Sequence, residues 1–396
     1  MASNQAARVL GVLLLVAAVL AATSCGSSGG SDSSKLDVAL QDDAVFLKKE
    51  YYDRETALKQ AQALGVTRLR VLVIWSRLVG ADADAKTKPA TVHYDWSPYD
   101  SLIDDAARHG IRLQLNLTGP APAWAAGNNK VGIVRPDAQD FGEFAAAAAR
   151  HFKGRVDLYS IWNEPNYVGW LAPLHAEPQL YRQLYAAAYG AIKNIDPSAR
   201  VLIGETAPYA EGHRALAPLA FLREVLCRNQ IYAPVKQCPP LLADGYAHHP
   251  YEFANPPAAP YPGADNVTMG TLNRLTSALD RLHTAKALQT ADGKPLDVYL
   301  TEFGYFATGP VAVPPAQRAS YLKQAFDIAQ RNSRVKEMLQ YILVSPPPGI
   351  RFNTSLINLD GKPSLPFNAL STWVRDNVKN GRVREVQAPL HLPPAP

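Results

Sequence analysis

The chain has 396 residues, of which 47% are hydrophobic and 19% charged, and its formal net charge is +5 at neutral pH. This composition is typical of a folded globular protein and excludes an intrinsically disordered chain. The lysines and arginines are dispersed, without the basic run that marks a nucleic-acid surface. The three cysteines show no metal-binding spacing. We therefore expect no nucleic-acid partner, no metal ion and no cofactor.

The N-terminus has the pattern of an export signal. Arg8 precedes an apolar run over 9–22, which at about 14 residues is too short to cross a bilayer. The sequence ATSC over 22–25 resembles a bacterial lipobox, which implies lipidation of Cys25; an ordinary signal cut near Ala22 is the alternative. The Gly/Ser-rich stretch that follows is typical of a flexible tether. We predict a signal peptide over 1–24, a tether over 25–35, and a secreted or cell-surface protein attached to a bacterial membrane through Cys25.

From residue 37 onward, short β-branched apolar runs alternate with longer amphipathic runs, which predicts β-α units and a parallel sheet. The predicted strands cover 38–41, 69–75, 113–117, 158–162, 201–204, 245–248, 298–300 and 338–344. The predicted helices cover 55–64, 98–110, 137–152, 178–195, 219–226, 271–288, 317–330 and 368–374. Eight such units close a (β/α)8 TIM barrel. We therefore predict an α/β fold with one barrel domain over 36–380 and a C-terminal tail over 381–396.

Two cysteines lie between the predicted fifth helix and sixth strand. Cys227 and Cys238 are separated by 238 − 227 = 11 positions. In an exported chain, an isolated pair of this kind predicts a disulfide that closes a short loop. Two free thiols are the alternative.

Two of the predicted strands end beside a single carboxylate. The fourth runs into the sequence WNEPN over 162–166, which contains Glu164, and the seventh into LTEFG over 300–304, which contains Glu302. The active site of such a barrel lies at the C-terminal ends of its strands. Glycoside hydrolysis needs two carboxylates there, one to protonate the leaving oxygen and one to attack or to activate water. A structural hydrogen-bond acceptor is the alternative for either glutamate alone.

These two motifs resemble those of glycoside hydrolase clan A, which includes families 5 and 39. The sequence NEP over 163–165 matches the clan motif after strand four, and TEFG over 301–304 matches the motif after strand seven. The resemblance extends over about 36–376. It implies a retaining glycosidase that acts on a carbohydrate, with Glu164 as acid/base and Glu302 as nucleophile. It also implies that Asn163 binds the 2-hydroxyl of the sugar.

The resemblance also covers side chains expected around the glutamates. Arg70 matches an arginine of strand two that would hydrogen-bond the nucleophile and keep it ionised. Strand parity alone cannot separate Arg70 from Arg68, because residues two apart share a face. His249 and Tyr251 match the clan's His-x-Tyr after strand six, which implies a tyrosine hydroxyl near the nucleophile. His248 is expected to be packed or hydrogen-bonded inside the barrel.

Several tryptophans follow the predicted strands and are candidate sugar platforms. Trp75, Trp124 and Trp170 are predicted to bind substrate, because an indole face packs well on a pyranose. Core packing is the alternative for Trp75, as it is for Trp162. The sequence also departs from the clan, since 340–348 contains no tryptophan at the end of strand eight. Likewise, 118–124 contains no histidine after strand three, where family 5 usually has one.

The leading interpretation is a monomeric retaining glycosidase that hydrolyses an extracellular β-linked glycan or glycoconjugate. A transglycosidase that remodels the cell envelope would use the same glutamates and differ only in its acceptor. A non-catalytic glycan-binding lipoprotein on the same barrel is the alternative from another class, and the presence of both glutamates disfavours it. The sequence leaves open the sugar, the linkage and the choice between exo and endo action.

Overall fold

The computed structural model describes residues 35–396 and shows a closed barrel of eight parallel strands. The barrel strands are β1 (Asp37–Gln41), β2 (Arg68–Ile74), β3 (Arg112–Thr118), β4 (Leu158–Ile161), β5 (Arg200–Thr206), β6 (Gly245–His248), β7 (Val298–Leu300) and β8 (Val335–Tyr341). They follow one another around the barrel in chain order, and β1 closes it by pairing with both β2 and β8. The predicted (β/α)8 fold is confirmed. The predicted signal peptide, most of the tether and Cys25 lie outside the described residues.

One long helix follows each barrel strand. The helices are α1 (Arg54–Leu64), α2 (Ser97–Arg108), α3 (Ala138–Phe152), α4 (Glu177–Ile195), α5 (Pro218–Val225), α6 (Leu272–Thr284), α7 (Pro315–Arg331) and α8 (Leu365–Lys379). Among the helices of residues 35–396, none combines the length and apolar character needed to cross a membrane.

Local sequence signals explain where several helices begin and end. The Asp53 side chain accepts a hydrogen bond from the Thr56 amide at 2.8 Å and caps α1, and Asp137 caps α3 in the same way. Gly65 ends α1 with φ of 93°, in the left-handed region that glycine adopts without steric cost. The predicted sixth helix was too long. It ends at Thr284, because the chain then forms Leu288–Gln289, a short strand that pairs with Leu241–Leu242 outside the barrel.

Small residues bring two of the outer helices close together. In the middle of α3, Ala145 and Ala148 are fully buried. A side chain built on Gly142 would meet the Cβ of Ala187 in α4 at 3.1 Å. The two helices that flank β4 are therefore closely packed, which helps to fix the strand that carries the first carboxylate motif.

A disulfide and the C-terminal segment form contacts on the outside of the barrel. Cys227 and Cys238 form the predicted disulfide, which closes the loop between α5 and the sixth barrel strand. After α8, the amide of Arg384 donates to the Leu36 carbonyl at 2.9 Å, and the amide of Leu390 donates to the Ala107 carbonyl at 2.8 Å. The segment over 381–396 thus contacts the start of β1 and the end of α2.

Candidate active site

The two strand-end glutamates meet at the mouth of the barrel. One carboxylate oxygen of Glu164, one of Glu302 and one ring nitrogen of His249 lie within 4.8 Å of one another. Glu164 follows β4 and Glu302 follows β7, and both line the same cavity. Glu164 has φ of 38°, a backbone conformation that non-glycine residues rarely adopt and that is concentrated at functional sites.

The carboxylate of Glu302 is held at both oxygens. Nη1 of Arg70 donates to Oε1 at 2.8 Å, and the Tyr251 hydroxyl donates to Oε2 at 3.1 Å. Burial raises the pKa of Glu302, while the positive charges of His249 and Arg70 act against that rise. The two donors and two cations favour the ionised form that a nucleophile requires.

The structure separates the roles of the two arginines of β2. Arg70 is 1% exposed and also donates from Nη2 to Oδ1 of Asn163 at 2.7 Å, so it links the two strand-end motifs. Arg68 instead donates to both carboxylate oxygens of Asp157, at 2.8 and 3.1 Å. Arg70 lies behind Glu302 and outside the lining of the cavity, so its contacts are with protein groups.

The two histidines after β6 have different environments. His249 lies between two carboxylates, with Nδ1 at 3.0 Å from Oε1 of Glu164 and Nε2 at 2.8 Å from Oε2 of Glu205. Although burial disfavours a charged ring, the carboxylates of Glu302, Glu164 and Glu205 raise the pKa of His249 to about 9. Like Arg70, His249 is buried behind the cavity, where it contacts the carboxylates from the protein side.

His248 is a neutral, packed histidine. Its Nε2 donates to the Val267 carbonyl at 2.9 Å, and Nδ1 lies 2.9 Å from Oγ1 of Thr206. Burial lowers the pKa of His248 to about 3. The structure therefore places this residue as the sequence suggested, hydrogen-bonded within the barrel.

Glu205 belongs to the same network and was missed by the sequence analysis. It is fully buried at the end of β5, and it accepts from Nε of Arg70 at 3.3 Å, from Nη2 at 3.1 Å and from Oγ1 of Thr301 at 2.6 Å. The predicted fifth strand stopped one residue earlier, at Gly204. The rule that singled out Glu164 and Glu302, a carboxylate at the C-terminal end of a barrel strand, could have found it.

The carboxylates open into a cleft made of two adjoining cavities. The inner cavity, of about 390 Å³, is lined by the two glutamates, Asn163 and Tyr251. The outer cavity, of about 660 Å³, is lined by the loops that follow β1, β2 and β8. The two cavities share four lining residues, Leu72, Trp170, Tyr341 and Phe352. Tyr341 is the last residue of β8, so tyrosine occupies the strand end at which the sequence lacks a tryptophan.

Only one of the three predicted tryptophan platforms lines this cleft. Trp170 borders both cavities. Trp75 is fully buried and stacks on Phe144 of α3 at 5.6 Å, and Trp124 packs edge-on against Trp75 at 5.5 Å. The substrate-binding prediction for Trp75 is therefore corrected to core packing, and Trp124, which is half-buried, packs against that core and lies outside the lining of the cleft. The physical reason is that the chain turns into a short helix at Trp75, which directs the indole toward α3.

The convergence of Glu164, His249 and Glu302 is geometrically compatible with a cation. The local charge opposes one, because the Arg70 guanidinium lies 2.8 Å from Glu302 and His249 has a raised pKa of about 9. The same groups are well suited to proton transfer and nucleophilic attack, since each carboxylate has a hydrogen-bond donor that fixes its orientation.

The fold and the paired carboxylates define the class of protein, a (β/α)8 barrel of glycoside hydrolase clan A. Within that class, the sequence-family model of cellulase (glycosyl hydrolase family 5) matches residues 31–336. The chain therefore belongs to this family. A β-xylosidase of Geobacillus stearothermophilus is 27% identical over 174 residues, which cover 40% of this chain and 33% of the relative. The match thus spans about a third of the length of that relative.

Solved structures show the same fold. A family 39 glycoside hydrolase from the gut symbiont Bacteroides cellulosilyticus WH2 superposes with a TM-score of 0.64 at 20% identity, over 86% of this chain and 64% of that one. A monomeric β-xylosidase from Caulobacter crescentus CB15 superposes with a TM-score of 0.55 at 19% identity, over 85% of this chain and 67% of that one. At these identities, the likeness establishes the fold alone.

Proposed function

We propose that the protein is a retaining glycoside hydrolase that cleaves the β-glycosidic bonds of an extracellular glycan or glycoconjugate. The observation that carries this proposal is the position of Glu164 and Glu302, whose facing oxygens lie within 4.8 Å. Retaining enzymes hold the two carboxyl groups about 5–5.5 Å apart, whereas inverting enzymes leave about 6.5–9.5 Å for a water molecule. A closest approach of no more than 4.8 Å between oxygens of the two carboxylates fits the first range better than the second, and this supports double displacement.

In the first step, the Glu302 carboxylate attacks the anomeric carbon while Glu164 donates its proton to the leaving oxygen. Oε1 of Glu164 faces Nδ1 of His249, so Oε2 is the oxygen that carries the proton toward the leaving group. Oδ1 of Asn163 accepts from Arg70, which leaves the amide Nδ2 to bind the sugar 2-hydroxyl. That contact strengthens in the transition state.

In the second step, Glu164 acts as a base and removes a proton from water, which attacks the glycosyl–Glu302 ester. Release of Glu302 restores its contacts with Arg70 and Tyr251. An acceptor hydroxyl in place of water would give transglycosylation by the same residues. The two outcomes differ only in what occupies the leaving-group side when the intermediate breaks down.

The shape of the cleft supports a substrate with several sugar units. The leaving group lies toward Glu164, where Tyr167 and Tyr209 line the inner cavity from the loops after β4 and β5. The outer cavity lies on the other side, between the loops after β1, β2 and β8. A glycone longer than one ring would extend into that space, where Tyr51 and Trp170 offer aromatic faces.

The decisive experiment combines substrate screening with two variants. Wild type is assayed on 4-nitrophenyl β-glycosides and on plain β-linked polysaccharides, with Glu302→Ala and Glu164→Ala beside it. Glu302→Ala should lose turnover on every substrate. Glu164→Ala should lose least on substrates with good leaving groups, and added azide should yield a β-glycosyl azide. Glu143→Ala, an exposed glutamate of α3, is the matched control and should behave as wild type.

NMR of the first-formed product tests the stereochemistry. A retained anomer is expected, and an inverted one would overturn the role of Glu302 as nucleophile. Added sugar acceptors separate hydrolysis from transglycosylation, because only the latter gives products longer than the substrate. Absence of turnover on all substrates by the folded wild type would leave the glycan-binding lipoprotein as the better hypothesis.

We also propose that the protein is exported, attached to a bacterial membrane through Cys25, and active as a monomer. The apolar run over 9–22 and the cysteine that closes it support the first two parts. Cys25→Ser should release the protein or leave it unprocessed, and membrane fractionation measures this. Unchanged fractionation and processing would refute the anchor, and light scattering of the soluble barrel tests the monomer.

A further inference from the structure

Glu205 is a buried carboxylate that the double displacement does not use. Its backbone has φ of 51°, and the pairing of β5 with β6 shifts register between Gly204 and Thr206. Glu205 is thus the extra residue of a bulge. Bulges redirect a side chain and are frequent beside active sites. Here the bulged residue is Glu205 itself, whose side chain contacts residues of or after β2, β6 and β7 at the mouth of the barrel.

Glu205 joins the partners of the two catalytic glutamates. Its Oε1 and Oε2 accept from Nε and Nη2 of Arg70 at 3.3 and 3.1 Å, and the same arginine donates from Nη1 to Glu302 at 2.8 Å. Its Oε2 also lies 2.8 Å from Nε2 of His249, whose Nδ1 lies 3.0 Å from Glu164. One buried carboxylate therefore contacts both the group that holds the nucleophile and the group that holds the acid/base.

We propose that Glu205 is a positioning residue for both catalytic glutamates, which keeps Arg70 against Glu302 and fixes the His249 ring so that Nδ1–H donates to Glu164. This inference rests on the proposed function. With Nε2–H donated to Glu205, a doubly protonated ring has its second proton on Nδ1, directed at Oε1 of Glu164. That hydrogen bond leaves Oε2 of Glu164 to exchange its proton with the leaving group and then with water.

The charges are consistent with this arrangement. Although burial disfavours the ionised form, Arg70 and His249 lower the pKa of Glu205 to about 2. The ionised Glu205 in turn contributes to the raised pKa of His249. Other ionisable groups that act on this pair are Glu164, Tyr181, His248, Glu302 and Glu337. Of the groups in contact with His249, Glu205 is the one that substrate turnover leaves unchanged.

The first test measures the His249 ring itself and needs no substrate. In ¹⁵N NMR of the wild type, His249, assigned by the loss of its signals in His249→Asn, should be doubly protonated at pH 7. In Glu205→Gln its titration should move to lower pH by at least about one unit, since the carboxylate that favours the cation is gone. A neutral His249 in the wild type at pH 7 would overturn the proposal even if the variant failed to fold.

The second test is kinetic. On the best 4-nitrophenyl β-glycoside, Glu205→Gln should lower kcat by about 10–100-fold with little change in KM, because the acid/base and nucleophile are misplaced while the cleft is intact. Glu205→Asp, which keeps the charge, should recover part of kcat. Glu177→Gln is the matched control, a fully buried glutamate at the start of α4 that is not among the groups acting on Glu205 and His249, and should leave the His249 titration unchanged.

A folded Glu205→Gln with an unshifted His249 titration and wild-type kcat would reduce Glu205 to a structural role. The NMR result does not depend on activity. A wild type that turns over no glycoside therefore contradicts the proposed function, whereas the protonation state of His249 separately decides the role of Glu205.

Discussion

Arg70 and Glu302 are joined by a hydrogen bond of 2.8 Å between Nη1 and Oε1, although 232 positions separate them in the sequence. The bond is buried, and Glu205 and Asn163 accept hydrogen bonds from Nε and Nη2 of the same guanidinium. Arg70 thereby fixes the orientation of Glu302, the proposed nucleophile, relative to the motif of strand four. It also supplies a positive charge that opposes the effect of burial on the Glu302 carboxylate.

Replacing Arg70 should change both rate and pH dependence. Arg70→Met should lower kcat/KM by about 100-fold, because Glu302 loses its alignment. Loss of the cation lets the pKa of Glu302 rise further, so the acidic limb of kcat/KM should move to higher pH. Arg70→Lys keeps the charge and should move that limb less. A folded Arg70→Met with the wild-type acidic limb would contradict this assignment.

The two tryptophans Trp170 and Trp75 should respond oppositely to truncation. Trp170→Ala should raise KM for glycosides and leave the free energy of unfolding nearly unchanged, because this indole lines the cleft. Trp75→Ala should lower the free energy of unfolding by about 3–5 kcal/mol, since it leaves a large cavity beside Phe144. Denaturant unfolding and steady-state kinetics on the two variants measure both effects. Equal stability losses would refute the distinction.

Much of the fold could be predicted from sequence, because alternating β and α patterns and their helix caps are local signals. The strands over 245–248 and 298–300 were predicted with their observed bounds. The two glutamate motifs could be placed because they follow strands, and strand ends converge in a parallel barrel.

The remaining features depend on tertiary geometry. The bulge at Glu205 arises from the pairing of β5 with β6, which no local pattern encodes. Which tryptophan faces the cleft depends on how the chain leaves a strand. At Trp75, directly after β2, the chain turns into a short helix. The disulfide was predicted because the chain has an isolated pair of cysteines and an expected export signal. The proximity of Cys227 and Cys238, however, depends on the fold.

The outer cavity predicts a dependence on substrate length. Tyr51 lines this cavity and lies outside the lining of the inner one. Tyr51→Ala should therefore lower kcat/KM by about fivefold to tenfold on a β-linked tetrasaccharide, through loss of one aromatic platform. On an aryl monosaccharide the same variant should match the wild type. If both substrates lose activity equally, the outer cavity does not hold a sugar.

Removal of the disulfide should affect stability alone. Cys227→Ser with Cys238→Ser opens a loop of 11 positions, which should lower the free energy of unfolding by about 2–3 kcal/mol. The loop is remote from the glutamates in the sequence and does not line the cleft. Kinetic constants at 25 °C should therefore be unchanged, and mass spectrometry after non-reducing alkylation of the wild type should find no free thiol at either position.

The buried neutral His248 should make the protein more sensitive to acid. Its pKa is lowered from 6.5 to about 3 in the folded state, so its contribution to stability is fully present above pH 6.5 and is lost as pH falls toward 3. Across that range, one proton taken up on unfolding costs about 1.4 kcal/mol of stability per pH unit.

Glutamine at position 248 can still donate to the Val267 carbonyl, but it does not titrate. His248→Gln should therefore be less stable than wild type at pH 7, and the difference should shrink as the pH is lowered from 6.5 to 4. Urea unfolding at several pH values measures this, with His93→Gln, an exposed histidine, as the control that should run parallel to wild type. Parallel curves for His248→Gln and wild type would show that His248 is not kept neutral by the fold.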